Sequence, residues 1–426
     1  MSANYTKELI KFIKSSQSAY QAVDTIKAIL DKNHFKELSE SKKFDIHEDG
    51  KYYVIRNSSS IIAFTVGGAD KYLYKIAASH SDSPCFKIKE NAQIKVRDKY
   101  TQLNTEGYGG MLLAPWFDRP LSVAGRIIVK GGSANNSVEK HVSVDRDLLL
   151  IPNMAIHMNR KVNEGYAYNK QVDMLPLFAG ADCNENALMS IVASEASVDV
   201  TDIIGSDLFL YNRSEPSVWG ANNEFVSAPR LDDLECAYTT LEGFISSKKS
   251  AGINVFACFD NEEVGSNSMQ GAGSTFLADI LKRINIALGK TEEDYYCAVA
   301  DSFMLSCDNA HAVHPNHPEK SDPTNSVFMN EGVVIKQNAN QKYTSDAVSI
   351  AKFKMLCEKA KVPYQVFANR SDEPGGSTLG NIAMSQVSAH AVDIGLAQLS
   401  MHSPYETAGV KDIEYMIKVS KCFFED

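Results

Sequence analysis

Two adjacent carboxylates, Glu262 and Glu263, stand in the segment Asp260-Asn261-Glu262-Glu263-Val264-Gly265, just after an apolar run at 253–258. Neighbouring carboxylates repel unless a positive group lies between them or one of them holds a proton. A solvated acidic turn would explain the pair if it stood alone. It does not stand alone: His80-Ser81-Asp82, Asp232-Asp233, Asp308 and His402 each follow or open a similar apolar stretch. In His80-x-Asp82 the carboxylate can reach the far ring nitrogen, fix the tautomer and raise ligand basicity. Asp232 or Asp233 could cap the helix that follows them, but capping needs one carboxylate and leaves the other for a different task. Two histidines and several carboxylates without a thiolate form a ligand set suited to Zn²⁺, Mn²⁺ or Co²⁺. The count suits two ions sharing one bridging carboxylate, with one Glu left over as base. Such a centre activates water and stabilises the oxyanion of amide hydrolysis.

These residues need a scaffold that gathers strand ends. The spacing predicts helices over 5–14 and 18–31, the second with Ser18 as N-cap, and strands over 52–56, 61–66 and 73–79. Further on it predicts strands at 253–258, 297–303, 332–336 and 364–369, and helices at 275–288 and 344–359. The last helix places Val348, Ala351, Met355 and Leu356 on one side. This is an α/β pattern, and open α/β sheets hold ligands at the carboxyl ends of their strands. Across 94–223 the texture changes to short strand-like runs (122–130, 148–151, 208–211), which reads as a second, β-rich domain. The catalytic domain is then discontinuous, 1–93 and 224–426. His157 lies in an apolar segment of the insert and reads as a satisfied structural histidine. Three histidines, His311, His314 and His317, crowd the loop after Asp308, in a chain with ten.

The chain has 426 residues, 44% hydrophobic and 23% charged, with a formal net charge of −10 and no basic run. Nucleic acid is therefore not an expected partner. Eight cysteines are scattered without a Cys-x-x-Cys pair, against a disulfide framework or a thiolate zinc site. No signal-type h-region or membrane-length apolar run occurs, so no membrane association is expected and the reading is cytoplasmic.

The motifs His80-Ser81-Asp82-Ser83-Pro84, Pro229-Arg230-Leu231-Asp232, Asp260 to Gly265, Asp308-Asn309-Ala310-His311-Ala312-Val313-His314-Pro315-Asn316 and Met401-His402-Ser403 are similar to those of the M18 metallo-aminopeptidases, the aspartyl aminopeptidase family. Trp116 to Leu121 and Ala124-Gly125-Arg126 extend the resemblance through the insert. It implies a zinc-exopeptidase-like catalytic domain, a mixed central sheet flanked by helices, with an inserted β-rich dimerisation domain. It implies that His80, Asp232 and Asp308 bind one divalent ion and that Asp232, Glu263 and His402 bind a second, both Zn²⁺ by preference. Glu262 becomes the general base and acid, Asp82 orients His80, and the Asp232-Asp233 peptide is cis. It also implies dimers that build a tetrahedral dodecamer, with His157 entering a neighbour's active site against its reading as a structural residue.

The family removes N-terminal Asp or Glu, and some members prefer apolar residues. Lys336 is the candidate partner for a substrate carboxylate, with an exposed strand-end lysine as the alternative. His311, Gly376 and Ser377 are further candidate substrate contacts. The Gly375-Gly376-Ser377 loop, with Glu373, departs from the family pattern, as does Ser16-Gln17-Ser18-Ala19. Rival readings are a neutral or apolar preference, a related binuclear deacylase or carboxypeptidase, and a non-catalytic scaffold. The surplus of carboxylates at the site favours recognition of a free amine.

Overall fold

Apolar runs of strand length, buried on both faces, make the backbone of the first unit. The computed structural model describes residues 2–68, 71–131, 133, 136–248 and 251–426. It falls into two compact units: Met1–Asp82, Pro216–Met401 and Glu406–Asp426 in one, Ser83–Glu215 and His402–Tyr405 in the other.

The first unit is built on a nine-stranded sheet of Lys36–Glu37 (β1), Lys51–Arg56 (β2), Ser60–Val66 (β3), Tyr74–His80 (β4), Ile253–Phe259 (β5), Phe303–Cys307 (β6), Val333–Gln337 (β7), Tyr364–Ala368 (β8) and His390–Gly395 (β9). Their order is β1-β2-β3-β5-β4-β6-β9-β7-β8. The central strands β5, β4, β6 and β9 run parallel, while β3 and β7 pair antiparallel to their inner neighbours. The sheet is mixed, and every residue of β4, β5 and β6 is buried, as expected for strands covered on both faces. Alternation divides them: Ala77, Phe256, Cys258 and Leu305 face one core with the helices Leu231–Ser246 and Val410–Glu425. Ile76, Ala78, Val255, Ala257 and Met304 face the other, with the helix Phe276–Ala287. A five-stranded sheet, running Ser217–Trp219, Phe225–Ala228, Glu406–Gly409, Ala397–Leu399, Ala310–His311, completes this unit.

The second unit is a six-stranded antiparallel sheet, ordered Val138–Ser143, Leu121–Val129, Ile203–Asn212, Cys85–Val96, Tyr100–Tyr108, Leu177–Gly180. It has its own core around Phe86, Leu103, Trp116, Ile127 and Leu208. Its boundary precedes the expected one because Cys85–Val96 is a single strand, and position 94 falls inside it.

Several local expectations differ from what forms. Residues 297–301 are helical, the end of Glu292–Asp301, and the strand starts only at Phe303. The cause is a capping box in which Thr291 and Asp294 bond each other's backbone N–H. The helix Ala347–Ala360 buries Ser349, Phe353, Leu356 and Cys357 and leaves Val348 and Met355 exposed. Its packed face is set by the Phe353–Leu356–Cys357 stripe. Ser18 sits at an N-cap position, but its hydroxyl bonds the Gln21 side chain instead of the helix backbone. Residues 148–151 contribute isolated bridges, not a strand. Among the described residues no helix is long and apolar enough to cross a membrane.

Candidate metal centre

Three parallel strands end side by side and carry the candidate ligands. β4 and β5 are in register at His80 and Phe259, and Ser81 N donates to Phe259 O at 2.7 Å. Beyond β5 the chain turns through Asn261, in the left-handed region at φ 64°, into the short turn Glu262–Val264. β6 ends at Cys307, so Asp308 leaves the sheet beside Gly395 of β9. A Cβ on Gly395 would lie 1.9 Å from the Asp308 carbonyl oxygen, so only glycine lets the two backbones pass. The helix Leu231–Ser246 adds Asp232 and Asp233, whose backbone is non-helical and whose shared peptide is cis, as the resemblance implied. Arg230, at the N-cap position, makes no capping bond; its guanidinium donates instead to the Ser16 and Ile13 carbonyls at 3.0 and 3.1 Å.

One ligand atom each from His80, Asp232, Asp233 and Asp308 lies within 4.8 Å of the others, and the same holds for His80, Glu262 and Glu263. His80 Nε2 is 3.5 Å from Asp232 Oδ1. On the far side of the ring, Nδ1 is 3.3 Å from Asp82 Oδ1 and 3.1 Å from the Asp82 carbonyl. Asp233 Oδ2 accepts the His80 backbone N–H at 3.2 Å. Asp82 does more than face the imidazole. Its Oδ1 accepts from Glu262 N at 3.1 Å and its Oδ2 from Glu263 N at 3.2 Å, so one carboxylate holds both the histidine and the glutamate turn. Asp232 N is held in turn by Glu406 Oε2 at 2.9 Å.

Burial drives the titration of this cluster. It pushes the Glu262 carboxyl up to about 8 and the Asp308 and Asp233 carboxyls upward as well. Burial works against a charged His80, yet Asp233, Asp232 and Asp82 outweigh it and hold the imidazole well above its ordinary value. So much buried like charge asks for a multivalent counter-ion. The donor set, one imidazole and carboxylate oxygens converging on common points, fits divalent zinc. Lys336 is a nearby fixed cation, and it is not the exposed strand-end lysine. It is 1% exposed, its Nζ 3.2 Å from Asp308 Oδ2, 2.7 Å from the Asp308 carbonyl and 3.2 Å from the Asn309 carbonyl.

His402 belongs to the second unit. Its Nδ1 lies 2.7 Å from the Gly110 carbonyl. A carbonyl only accepts, so Nδ1 carries a proton, and in the neutral ring Nε2 then holds the lone pair, the tautomer a metal-bound imidazole needs. His157 is exposed, flanked by exposed Met154, Ile156 and Met158, so it is not a core histidine. His311 is exposed at the end of its short strand, its ring centroid 6.3 Å from that of Phe367. His314 and His317 pack on each other at the surface, 5.3 Å between centroids. Gly376 and Ser377 are exposed, while their neighbour Thr378 is anchored on buried Asp393. Sequence reasoning passed over Asn309 and Glu235, which are buried beside the candidate ligands. Their signal was faint, an amide next to Asp308 and a carboxylate three residues past Asp232. Cys236, Cys258 and Cys307 are fully buried free thiols with charged neighbours in the cluster. Burial pushes all three up, Cys258 to about 12.

A parallel-centred sheet whose strand ends gather His, Asp and Glu side chains able to hold a metal ion is the zinc-exopeptidase-like fold. The family model for aminopeptidase I zinc metalloproteases (M18) matches residues 12–424. A probable M18 family aminopeptidase 2 of Clostridium acetobutylicum is 48% identical over 425 residues, covering 99% of this chain and 98% of that one. Aspartyl aminopeptidase 4 of Saccharomyces cerevisiae is 39% identical over 465 residues, covering 99% and 95%. The structure of the S. cerevisiae mApe1 dodecamer superposes with a TM-score of 0.85 at 28% identity, over 98% of this chain and 95% of that one. The chain belongs to the M18 family and is a metallo-aminopeptidase.

Proposed function

We propose that this enzyme is a binuclear aminopeptidase that removes N-terminal Asp or Glu from peptides. The observation that carries the reading is the convergence of His80, Asp308, Glu262 and Glu263 at adjacent strand ends with Asp232 from the start of the helix Leu231–Ser246. His80, Asp232 and Asp308 would hold one ion, and Asp232, Glu263 and His402 the other, with Asp232 shared. The His402 tautomer supports its part in this set. Bound divalent ions supply Lewis acidity toward water and the scissile carbonyl. Glu262 takes the proton of the attacking water and passes it to the leaving amine. Asp82 keeps His80 oriented and the Glu262–Glu263 turn in place. The surrounding acids favour a substrate's free ammonium group over a C-terminal carboxylate, against the carboxypeptidase and deacylase alternatives.

Acidic specificity draws support from the aspartyl aminopeptidase relative, with Lys336 as the site's positive charge and His311, Gly376 and Ser377 as further contacts. A second reading, the same mechanism with a preference for neutral or apolar residues, is favoured by Lys336 itself. An ammonium has three N–H donors, and its three close oxygens are Asp308 Oδ2, the Asp308 carbonyl and the Asn309 carbonyl. The second unit as a dimerisation module, dodecamer assembly, entry of His157 into a neighbour's site and a cytoplasmic setting complete the proposal; the dodecameric relative supports the assembly.

The test is release from matched Asp-, Glu- and Leu-blocked chromogenic substrates, after chelation and after return of Zn²⁺, Mn²⁺ or Co²⁺. Glu262→Gln should keep its metal content and lose roughly 10²–10⁴-fold in kcat. Leu release alone would keep the mechanism and discard the acidic preference. No release from metal-loaded enzyme would sink the aminopeptidase reading.

A further inference from the structure

Three buried polar side chains meet just behind the ligands, and the chemistry above uses none of them. Asn309 is 3% exposed, Glu235 0% and Gln398 1%. Asn309 Nδ2 lies 3.2 Å from Glu235 Oε2, 3.0 Å from Gln398 Oε1 and 3.3 Å from the Leu231 carbonyl. Its Oδ1 accepts from Leu396 N at 3.1 Å and from the Cys236 thiol at 3.2 Å. Polar groups at such depth cost stability relative to an apolar filler unless they are well bonded, so mere packing would be better served by a leucine or methionine.

Their attachment points explain the arrangement. Leu231 immediately precedes Asp232, and Glu235 lies on the first turn of the same helix. Asn309 immediately follows Asp308, and Leu396 follows the last residue of β9. One amide therefore ties the helix carrying Asp232 to the strand ends carrying Asp308. We propose that Asn309 and Glu235 form a brace that fixes the spacing of Asp232 and Asp308, and so are positioning residues for the metal centre. Neither touches substrate. A site needs its ligands held within about 0.5 Å, and locked neighbours do that holding.

The inference rests on the reading of Asp232 and Asp308 as ligands, and the test separates the two. Zinc affinity of the chelator-stripped protein is measured by competition with a chromophoric chelator, alongside thermal unfolding of the same metal-free samples. Asn309→Leu and Glu235→Leu should each raise the zinc Kd by roughly 10–100-fold, the range for lost orienting partners. Glu235→Gln, which still offers Oε1 to Asn309, should bind zinc near wild type. The Asn309→Leu/Glu235→Leu double variant should be no weaker than the poorer single variant, because both break one device. Wild-type zinc affinity in Asn309→Leu, with or without a change in metal-free stability, overturns the brace. So does a double variant whose losses multiply. Asp308→Ala is the control: if it binds zinc like wild type, the ligand reading fails; if it loses zinc while Asn309→Leu does not, only the brace fails. Should Asn309→Leu not fold, Glu235→Leu against Glu235→Gln carries the same comparison.

Discussion

Replacing Lys336 with methionine removes a buried ammonium while keeping most of its volume. In the metal-free protein Lys336 is the cation paired with Asp308 Oδ2 at 3.2 Å, and it also satisfies two backbone carbonyls. Removing one partner of a buried pair costs about 3–5 kcal/mol, because the other charge stays buried and uncompensated. At ~2–4 °C per kcal/mol for a domain of this size, metal-free Lys336→Met should unfold roughly 10 °C below wild type. Two dependences identify the cause. Lowering the pH protonates Asp308, whose carboxyl burial already pushes upward; the stranded charge then disappears, so the gap between variant and wild type should narrow from pH 8 to pH 5. Zinc supplies the missing positive charge, so saturating zinc should raise the unfolding temperature of the variant more than that of wild type. The assay is thermal unfolding with chelator and with zinc at both pH values. Equal unfolding temperatures without metal, or equal zinc-induced shifts, would refute the view of Lys336 as the counter-charge of Asp308. Kinetics of the same variant on Asp and Leu substrates read its part in specificity: loss confined to Asp release supports a substrate contact, equal loss on both supports the role on Asp308.

Other predictions follow from the same geometry. Asp82→Ala removes the acceptor shared by His80 and the Glu262–Glu263 turn, and zinc affinity should fall about 10–100-fold, read by chelator competition. Zinc uptake by the stripped protein should release protons, because His80, Asp308 and Glu262 hold theirs to higher pH than free side chains do. Raised pKa values mean the metal-free form binds the extra protons, so apparent affinity should climb as pH rises toward about 8, where Glu262 titrates. Calorimetry in buffers of different ionisation heat counts the protons, and a pH-independent affinity between 6 and 8 would contradict the assignment.

The sequence made the site legible because its residues cluster in short motifs at strand ends. His80, Asp82, Asp232, Glu262, Glu263 and Asp308 were visible as residue types and spacings, and the sheet that gathers them follows from unbroken apolar runs such as Ile253–Phe259. What stayed hidden depends on partners distant in the chain. Residues 297–301 look strand-like until the Thr291–Asp294 box starts a helix ahead of them. Lys336 reads as a candidate substrate partner, with an exposed lysine as the alternative, and its pairing with Asp308, 28 residues earlier, is not visible in the spacing. Asn309 and Glu235 read as ordinary polar residues because their significance lies in each other, 74 positions apart. Val348 and Met355 fit an apolar stripe by spacing, but the sheet meets the other side of their helix.

The three buried cysteines give the centre an unexpected chemical durability. Thiolate, not thiol, is the form that oxidants, alkylating agents and soft metals attack. Cys236, Cys258 and Cys307 are locked in the thiol form by the same burial and negative surroundings that serve the ligands. The folded enzyme should therefore resist iodoacetamide or peroxide at these positions. Vulnerability would arrive only with unfolding, so resistance to such reagents becomes a chemical clock for how often the catalytic unit opens.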